Sequence, residues 1–395
     1  MTRVLFINPG WEQQPLTHRL IEPFGCELNA VYPPYSKVEN VSKFTKILFA
    51  DLFDIEKILA FGKSEKVEAV ISDQCDYSLY TQSMIASLLN LPGPSPESAY
   101  LSNNKYLQRL KAKKAGILIP RFRLCYCSND VSDFADVIGY PLILKPVDNR
   151  GSIGVVKVNS CTEIEAALAR SVSCSRSQLI LAEEYIKGIQ FTVDGYIVPD
   201  AKPKTLAIGE KIMLSDQIQV AMGISYPASL PEPLYDYLAR LNETVNARLG
   251  YKFGMIHSEY ICRDGQFYLI ESSNRGGGCF TSEIIVPAVA GVNLLEQYIS
   301  DCLGVHCNIL GSETVINKNP VTLRFFSLPE GLYNGISNWN KLSESKKCLL
   351  SRINVSYGDQ IMSISSDADR HGFVIVAGDD DDALELVNMM ELVNA

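Results

Sequence analysis

The chain has 395 residues, of which 47% are hydrophobic and 21% charged, and its formal net charge is −9. This length allows two or three domains with a substantial core, and the composition is ordinary for a globular protein. The negative charge argues against a nucleic-acid surface, which needs clustered lysine and arginine, but leaves small substrates and nucleotides open. The start of the chain lacks the apolar segment of a signal peptide, and no segment is long and apolar enough to span a bilayer. We therefore expect a cytoplasmic protein with no nucleic-acid and no membrane partner.

The eleven cysteines are scattered from Cys26 to Cys348 and form no disulfide framework for a chain of this size. We expect most of them to be reduced, buried thiols. Two groups contain residues that could bind zinc, but neither has the second CxxC half of a zinc site: Cys125 with Cys127, and Cys302 with His306 and Cys307. We therefore expect no zinc site.

Strand and helix patterns alternate in the first hundred residues. Apolar runs typical of strands lie at residues 3–8, 27–32 and 67–72, and helical patterns lie between and after them at 45–61 and 78–89. This order predicts a small parallel α/β domain. No GxGxxG follows the first strand, so we expect no dinucleotide site there. The proline-rich and glycine-rich segment 91–96 ends this domain, which we place at residues 1–94.

Two lysines stand out in the next part of the chain. A helical pattern covers 95–115 with Lys105 in its middle, where a lysine is usually solvated. Lys145 ends an apolar strand and is followed by a loop that contains Gly151 and Gly154. Such a loop can offer backbone N–H groups to a phosphate while the ammonium supplies charge. The Walker A order is absent, so a phosphate site here belongs to another class, and an ordinary hairpin is the alternative.

Two further patterns complete the middle of the chain. An apolar strand at 179–186 has a polar break at Glu183 and Glu184, which leaves backbone groups free, as an adenine edge requires; periodicity alone does not show that use. The helical pattern 230–249 has an apolar stripe that we assign to the core, at Leu234, Tyr237, Leu238, Leu241 and Val245.

The segment 254–278 carries the most chemical information. Its pattern predicts two strands joined at 264–265, followed by glycines and a helical pattern at 281–290. Glu259 and Glu271 lie in apolar strand patterns, where a full negative charge is costly unless a cation offsets it. Two carboxylates with a polar neighbour, Ser273 or Asn274, suit Mg2+. A surface hairpin with solvated acids is the alternative.

Strand parity makes this metal hypothesis testable. Side chains alternate faces along a strand, so Glu259 and Glu271 share a face only if the numbers of paired residues add to an even number. A two-residue turn would pair Arg263 with Gln266 and separate the acids. We therefore expect a three-residue loop with Gly265 in a G1 bulge, which pairs Cys262 with Gln266. This register turns Ser273 towards the metal and Asn274 away.

The last ninety or so residues have short strand patterns at 319–331, 351–357 and 373–377, and a helical pattern from about Asp382. They predict a β-rich subdomain at 309–395, after a domain at 95–308. The acidic run before the last helix is expected to cap it and to complement its dipole.

Taken in order, these features resemble the ATP-grasp superfamily over about residues 95–304. The sequences HSEY and IESSNRGGG, with the tail at 370–378, are similar to carboxylate–amine ligases of the L-amino acid ligase type. The resemblance implies an α/β (α+β) fold, an ATP-grasp domain with an N-terminal parallel α/β domain and a C-terminal β-rich cap. It also implies ATP as a substrate and Mg2+, or Mn2+ in its place, as the metal.

The resemblance assigns a role to each site residue. ATP would contact Lys105, Lys145, Ser152, Glu183, Glu184, Ile186 and Gln190. The metal would be held by Glu259, Glu271 and Ser273. Arg275 would be the catalytic residue and would bind the substrate with His257, Gly276 and Gly277. Two positions depart from the family pattern: Gln190 replaces a ribose-binding glutamate, and Ser273 replaces an asparagine.

The resemblance implies an ATP-dependent ligase that activates a carboxylate as an acyl-phosphate and couples it to an amine, releasing ADP and phosphate. An amino acid is the favoured substrate. The alternatives are amidation of another carboxylate, such as a sugar acid or a natural-product intermediate, a nucleotide-binding protein without turnover, and carboxylation with bicarbonate. Whether the chain forms a homodimer is left open.

Overall fold

The computed structural model describes the chain except for residues 37, 39, 40, 73, 216, 217, 306, 308, 312, 313, 394 and 395. His306, which the sequence grouped with Cys302 and Cys307, lies outside the described residues. Within the described part, no helix is both long and apolar enough to cross a bilayer.

The N-terminal domain is a parallel sheet with helices packed on it, as the sequence predicts. Its elements are β1 (Arg3–Ile7), α1 (Gln14–Ile21), β2 (Glu27–Tyr32), β3 (Lys46–Phe49), α2 (Ile55–Ser64), β4 (Ala69–Ile71) and α3 (Asp76–Leu88). The strands lie in the order β3-β2-β1-β4, and every pairing is parallel. The carboxyl ends of β1, β2 and β4 therefore meet at one edge, and α3 begins beside this edge after β4.

The helix predicted at 45–61 was wrong for the first residues of this range. Residues 46–49 form β3, because their backbone pairs with β2 from Asn29 to Tyr32. The helix begins only after Asp54, whose carboxylate caps α2 by accepting a hydrogen bond from the backbone N–H of Lys57 at 3.1 Å. Pairing with a neighbouring strand thus overrides the local helical spacing.

The single helix expected at 95–115 is two helices, α4 (Pro96–Ser102) and α5 (Lys105–Lys114). The break arises because Asn104 starts a new helix, accepting a hydrogen bond from Leu107 N at 3.0 Å. Lys105 is therefore the first residue of α5 and not a mid-helix residue. It is 8% exposed, so it is not the solvated lysine that its spacing suggested.

A small antiparallel sheet follows with two helices. Its elements are β5 (Phe122–Cys125), α6 (Ser128–Ile138), β6 (Leu142–Pro146), β7 (Val156–Val158), α7 (Ile164–Ser173) and β8 (Ile180–Glu184). The strand order is β5-β8-β6-β7. This order places the end of β6, which carries Lys145, beside β8, which carries Glu183.

The remaining elements build a large antiparallel sheet. They are β9 (Ile189–Ile197), β10 (Lys204–Met213), β11 (Ala221–Tyr226), α8 (Glu232–Leu249), β12 (Gly254–Arg263), β13 (Gln266–Ser273), α9 (Val286–Ala290), α10 (Leu294–Cys302), β14 (Val321–Phe326), β15 (Gly331–Leu332), α11 (Trp339–Ser343), β16 (Cys348–Ile353), β17 (Gln360–Ile361), β18 (Gly372–Val376) and α12 (Asp380–Asn388). Eight of the strands form one sheet in the order β13-β12-β9-β10-β11-β14-β18-β16. The C-terminal strands therefore extend this sheet, because β14 pairs with β11. The boundaries at 94 and 308 stay predictions.

Smaller expectations had mixed outcomes. Asp379 caps α12 by accepting from Asp382 N at 3.1 Å, as expected. The helical pattern expected at 281–290 is confirmed, with residues 281–285 forming a π-helical turn that continues directly into α9. In the stripe of α8, Leu238 and Val245 are buried, but Tyr237 is 48% exposed and was wrongly assigned to the core. Tyr235, two residues earlier, is buried instead.

The cysteines are all free, as expected, but most are not buried. Of the eleven, only Cys26, Cys125 and Cys302 are buried, and Cys127 and Cys161 are exposed. The expectation was wrong because several cysteines lie at the ends of elements, such as Cys127 immediately before α6, rather than within them.

Candidate active site

The hairpin of β12 and β13 brings Glu259 and Glu271 directly opposite each other. Its turn has two residues, Asp264 and Gly265, both with positive φ (52° and 76°), and Arg263 pairs with Gln266. The expected three-residue loop was therefore wrong. The acids still share a face because the strand has an extra residue elsewhere: Ile270 is unpaired between Leu269, opposite Tyr260, and Glu271.

The bulge at Ile270 is held from outside the hairpin. Strand β13 is the edge of the large sheet, so its outward backbone groups need partners. Arg109 of α5 donates to the Ile270 carbonyl at 2.5 Å, and Leu269 N donates to the Leu118 carbonyl at 2.9 Å. The side-chain amide of Gln108 pairs with both backbone groups of Ser272. The register that sets the two acids is thus fixed by contacts with α5 and the residues after it.

Each of the two glutamates has a lysine partner. Lys105 Nζ lies 2.9 Å from Glu271 Oε1, and Lys211 Nζ, on β10, lies 2.5 Å from Glu259 Oε1. Burial alone would raise the pKa of Glu259, but Lys211 and His257 outweigh it and hold that pKa well below its usual range. Glu259 is therefore a carboxylate, the form that a divalent cation requires.

His257 lies beside these acids and is fixed by Asp194 of β9. Its Nδ1 donates to Asp194 Oδ1 at 2.7 Å, and its Nε2 lies 3.8 Å from Glu259 Oε1. Burial lowers the pKa of His257, yet the two carboxylates dominate and raise it to about 9. Gly277 is required for this arrangement, because a Cβ there would lie 2.7 Å from His257 Nδ1.

A second charged group lies between the small sheet and α5. Lys145 Nζ contacts Glu183 Oε2 at 2.7 Å, and Arg109 Nε donates to Glu183 Oε1 at 2.6 Å. Although burial opposes the charged form, these two cations keep the pKa of Glu183 low. The Glu183 side chain is therefore committed to Lys145 and Arg109, and its backbone lies within the small sheet between β5 and β6.

The hinge after β8 has the free backbone that an adenine edge needs. Ile186 makes no hydrogen bond through its N–H or C=O within the described part of the chain. The Glu184 carboxylate is held by Arg121 at 2.7 Å and by Arg263 at 3.5 Å, so it too is a structural anchor of the hinge. The backbone of Ile186 is thus the best-placed partner for a base.

A cavity of about 270 Å³ joins these groups. It is lined by all the residues expected to bind ATP and by both glutamates: Lys105, Lys145, Ser152, Glu183, Glu184, Ile186, Gln190, His257, Glu259 and Glu271. Four expected residues do not line it: Ser273, Arg275, Gly276 and Gly277. Ser273 is buried opposite His257 on the ladder, and Asn274 donates to the carbonyls of Phe253 and Met255.

Arg275 makes a two-pronged contact with the N-terminal domain. Its Nε and Nη2 donate to the two carboxylate oxygens of Asp76, at 2.7 and 3.0 Å, and Nη1 donates to the Gly276 carbonyl at 2.6 Å. Asp76 is the first residue of α3. The guanidinium that the sequence assigns to the substrate is therefore already engaged, and it fastens the end of the hairpin to α3.

The residues at the cavity fit a magnesium ion. The donor set is two carboxylates facing each other across one ladder, and magnesium commonly takes one or two carboxylates with phosphate and water completing its shell. Within the described residues no group of three or more His, Cys, Asp or Glu side chains forms a ready-made metal cage. This arrangement suits a cation that arrives with a phosphate ligand.

Comparison with known proteins identifies the family. A family model for the ATP-grasp domain matches residues 138–283. A D-alanine–D-alanine ligase of Coprothermobacter proteolyticus is 30% identical over 221 residues, which are 51% of this chain and 69% of that ligase. The chain belongs to the ATP-grasp superfamily. A D-alanine–D-alanine ligase of Stutzerimonas stutzeri is 28% identical over 207 residues, 50% of this chain, and this chain spans 63% of that ligase, less than two thirds of its length.

Solved structures confirm the ATP-grasp fold over the whole chain. An L-amino acid ligase from Bacillus licheniformis matches with a TM-score of 0.86 at 19% identity, covering 100% of this chain and 99% of that one. A phosphoribosylglycinamide synthetase from Anaerococcus prevotii matches with a TM-score of 0.77 at 16% identity, covering 100% of both chains. At these identities the likeness establishes the fold and does not establish the substrate.

Sequence reasoning missed four charged residues that line this cavity, Arg150, Lys211, Asp367 and Arg370, and also Asp194, which binds His257. Asp194 and Lys211 carried a usable signal, since each is a charged residue within an otherwise strand-like run, as Glu259 is. Asp367 carried none, and Arg370 stood out only as the first residue of the tail at 370–378. They reach the cavity only because β14 and β18 continue the large sheet beyond β11.

Proposed function

We propose that this chain is an ATP-dependent carboxylate–amine ligase that forms an amide or peptide bond through an acyl-phosphate, releasing ADP and phosphate. The observation that carries the proposal is the direct opposition of Glu259 and Glu271 in a cavity that also holds Lys105, Lys145 and Lys211. Two carboxylates and three lysines match the needs of phosphoryl transfer, which depends on positioning and on neutralising phosphate charge.

Glu259 and Glu271 would hold Mg2+, which supplies charge neutralisation at the phosphate oxygens when bound. Lys105 and Lys145 would bind phosphate oxygens, and the loop with Ser152 would cover them through its backbone N–H groups. The backbone of Ile186 would contact the base, with Gln190 near the ribose. Lys211 is a third cation that faces the same end of the cavity, beside Glu259.

No covalent enzyme intermediate is needed for this chemistry. Cys279 lines the cavity, but burial raises the pKa of its thiol to about 12, so the reactive thiolate is scarce at neutral pH. Activation through a phosphorylated carboxylate therefore fits the cavity better than a thioester on this cysteine.

An amino acid is the substrate class that the relatives favour. The curated relatives described above are both D-alanine–D-alanine ligases, and the similar solved structure is an L-amino acid ligase. Similar folds also include a biotin carboxylase domain with bicarbonate and MgADP, which keeps carboxylation as the second candidate. We propose ATP and Mg2+ as the reactants common to both, in a cytoplasmic enzyme.

The test is product formation from defined pools. The enzyme is incubated with ATP, Mg2+ and pooled L-amino acids, and ADP, phosphate and any dipeptide are measured by phosphate assay and mass spectrometry. We expect phosphate release that depends on a particular amino acid pair and a product mass equal to their sum less one water. Release with bicarbonate alone would indicate carboxylation, and nucleotide binding without release in any pool would contradict a ligase.

A further inference from the structure

A turn near the C-terminus contributes two charged residues to the cavity that the proposed chemistry does not use. Residues 367–369 form a single 3-10 turn before β18, and Asp367 and Arg370 line the cavity with Glu259 and Lys211. They come from the C-terminal part of the chain, for which the sequence predicts no site residue. They reach the cavity because β14 and β18 continue the large sheet beyond β11.

Asp367 is held in a fixed position by its surroundings. Arg370 Nη2 donates to Asp367 Oδ1 at 2.7 Å, and the Arg370 side chain is 9% exposed and stacks 3.9 Å above the ring of Phe325. The turn itself is fixed by Asp369, whose carboxylate accepts from the backbone N–H groups of Ser365 and Ser366. Asp367 is thus an anchored carboxylate and not a mobile surface acid.

The other oxygen of Asp367 is directed towards the phosphate end of the cavity. A Cβ built on Gly151, in the loop after Lys145, would lie 3.8 Å from Asp367 Oδ2. Within the described part of the chain this oxygen accepts no hydrogen bond. The side chain is 30% exposed, so the oxygen can be reached from the cavity.

A carboxylate oxygen beside a phosphate site requires a cation between them. Phosphate and carboxylate repel each other, and an unpaired charge at a half-buried position is costly. Arg370 already bonds to Oδ1, Lys211 lies against Glu259, and Lys105 lies against Glu271. Burial raises the pKa of Asp367 although Arg370 and Lys211 both oppose this shift. A cationic group of a substrate, bound at Oδ2, would offset the remaining cost of burial.

We propose that Asp367 binds the ammonium group of the amine substrate, and that Arg370 is the positioning residue that aims it. This subsite rests on the proposed ligase function and deepens it, since it names which side of the cavity receives the nucleophile. An ammonium between Oδ2 and the loop at Gly151 would neutralise both the carboxylate and the phosphate side. The amine would then approach the activated carboxylate from the C-terminal subdomain.

The experiment compares a charged amine with an uncharged nucleophile. The probes are the amino acid pair that the wild-type enzyme couples in the pool assay, and hydroxylamine, which is largely uncharged at neutral pH and traps acyl-phosphates as hydroxamates. We expect Asp367→Asn to raise KM for the amine by roughly 10- to 100-fold, the value of a hydrogen bond between charged groups. Hydroxamate formation and ATP affinity should stay within about twofold of wild type, a change well below that range.

Two further variants separate the subsite from general effects. Glu330→Gln removes the same charge from an exposed position of the same subdomain and should change neither nucleophile. Arg370→Lys keeps a cation beside Asp367 and should raise KM for the amine less than Arg370→Met does, while hydroxamate formation is retained in both. A purely structural role for Arg370 would lower both reactions together.

The outcomes are distinct. Equal loss of amide and hydroxamate in Asp367→Asn, or no change in either, would overturn the amine subsite. A higher Mg2+ requirement in this variant with an unchanged KM for the amine would also overturn it, because Asp367 would then serve a second cation. If the wild-type enzyme couples no pair and forms no hydroxamate, the proposed function fails and the amine subsite fails with it.

Discussion

Lys145 lies at the cavity, as its sequence position suggests, but its surroundings could not be predicted from the sequence. The strand-end position beside a glycine loop pointed to phosphate, and the side chain does line the cavity. Its ammonium is buried against Glu183, which also binds Arg109. Glu183 lies 38 positions after Lys145 and 74 positions after Arg109, so no local pattern could reveal these contacts.

Replacing Lys145 by methionine should weaken ATP binding by at least about tenfold and abolish turnover, because a charged contact to phosphate is lost. Stability should fall only moderately, since Arg109 still neutralises Glu183. Nucleotide affinity by calorimetry and the thermal midpoint are measured together. Lys187→Met, at an exposed position just after the hinge, is the matched control. Unchanged ATP affinity in Lys145→Met would remove this lysine from the phosphate site.

The adjacent glycines 277 and 278 offer a matched pair. An alanine Cβ at Gly277 would meet His257 Nδ1 at 2.7 Å, whereas at Gly278 it would meet nothing within 4 Å. We expect Gly277→Ala to cost about 1–3 kcal/mol of unfolding free energy, as overpacking does, and to disturb the His257–Asp194 contact. Gly278→Ala should stay within about 0.5 kcal/mol of wild type. Urea unfolding decides, and equal losses in the two variants would show that the His257 contact is not the cause.

The hairpin of β12 and β13 shows what the sequence could and could not predict. Its two strands, its turn position and the shared face of Glu259 and Glu271 all followed from alternation and from the cost of burying an acid. The position of the bulge that produces this shared face could not be predicted in the same way. The bulge lies at Ile270 because Arg109 and Leu118 satisfy the backbone there, and these partners are far away in sequence. The break between α4 and α5 was a local signal, the cap at Asn104, that the longer helical spacing concealed.

Arg109→Met tests the support of the bulge. Arg109 is fully buried and bonds both Glu183 and the Ile270 carbonyl, so its loss leaves a buried acid with one cation and a buried carbonyl without a donor. We expect a loss of about 3–5 kcal/mol in unfolding free energy, the usual cost of breaking a buried ion pair. Urea unfolding of Arg109→Met is compared with that of Lys113→Met, an exposed lysine of the same helix. A loss below about 1 kcal/mol, typical of a surface pair, would show that the bulge does not depend on Arg109.

The ATP-grasp fold and the N-terminal parallel domain were predictable because each depends on the order of strands, helices and a few charged positions. The contacts that join these parts of the molecule were not predictable. Arg275 was assigned to the substrate, and the structure shows its guanidinium engaged with Asp76 of α3, 199 positions away. The C-terminal strands, expected as a cap, continue the large sheet through β14 and so bring Asp367 into the cavity. Contacts between distant segments of this kind leave no periodic trace.

The substrate-binding role that the resemblance assigns to Arg275 can be tested against this contact. If Arg275 binds substrate, Arg275→Lys should lower turnover by more than about tenfold while ATP affinity changes little. Lysine cannot reproduce the two parallel hydrogen bonds that a guanidinium makes to a carboxylate or an acyl-phosphate. The measurements are kcat and the nucleotide dissociation constant.

Asp76→Asn is the matched variant, since it weakens the same contact from the α3 side and leaves the guanidinium in place. If Arg275 binds substrate, Asp76→Asn keeps most of the turnover. Equal losses of turnover and stability in the two variants would instead make Arg275 a fastener between the hairpin and α3, without direct contact to substrate.

In a regular hairpin the turn alone determines which residues share a face. Here the bulge at Ile270 determines that Glu259 and Glu271 do. Four paired positions lie between the bulge and the turn, from Tyr260–Leu269 to Arg263–Gln266, and they hold the register whatever the turn contains. The tip at Asp264 and Gly265 is exposed. It is therefore a suitable place to insert a fluorescent or affinity tag, because added residues there leave the two carboxylates facing each other. One residue added or removed between Leu269 and Glu271 would turn Glu271 to the opposite face and uncouple it from Glu259.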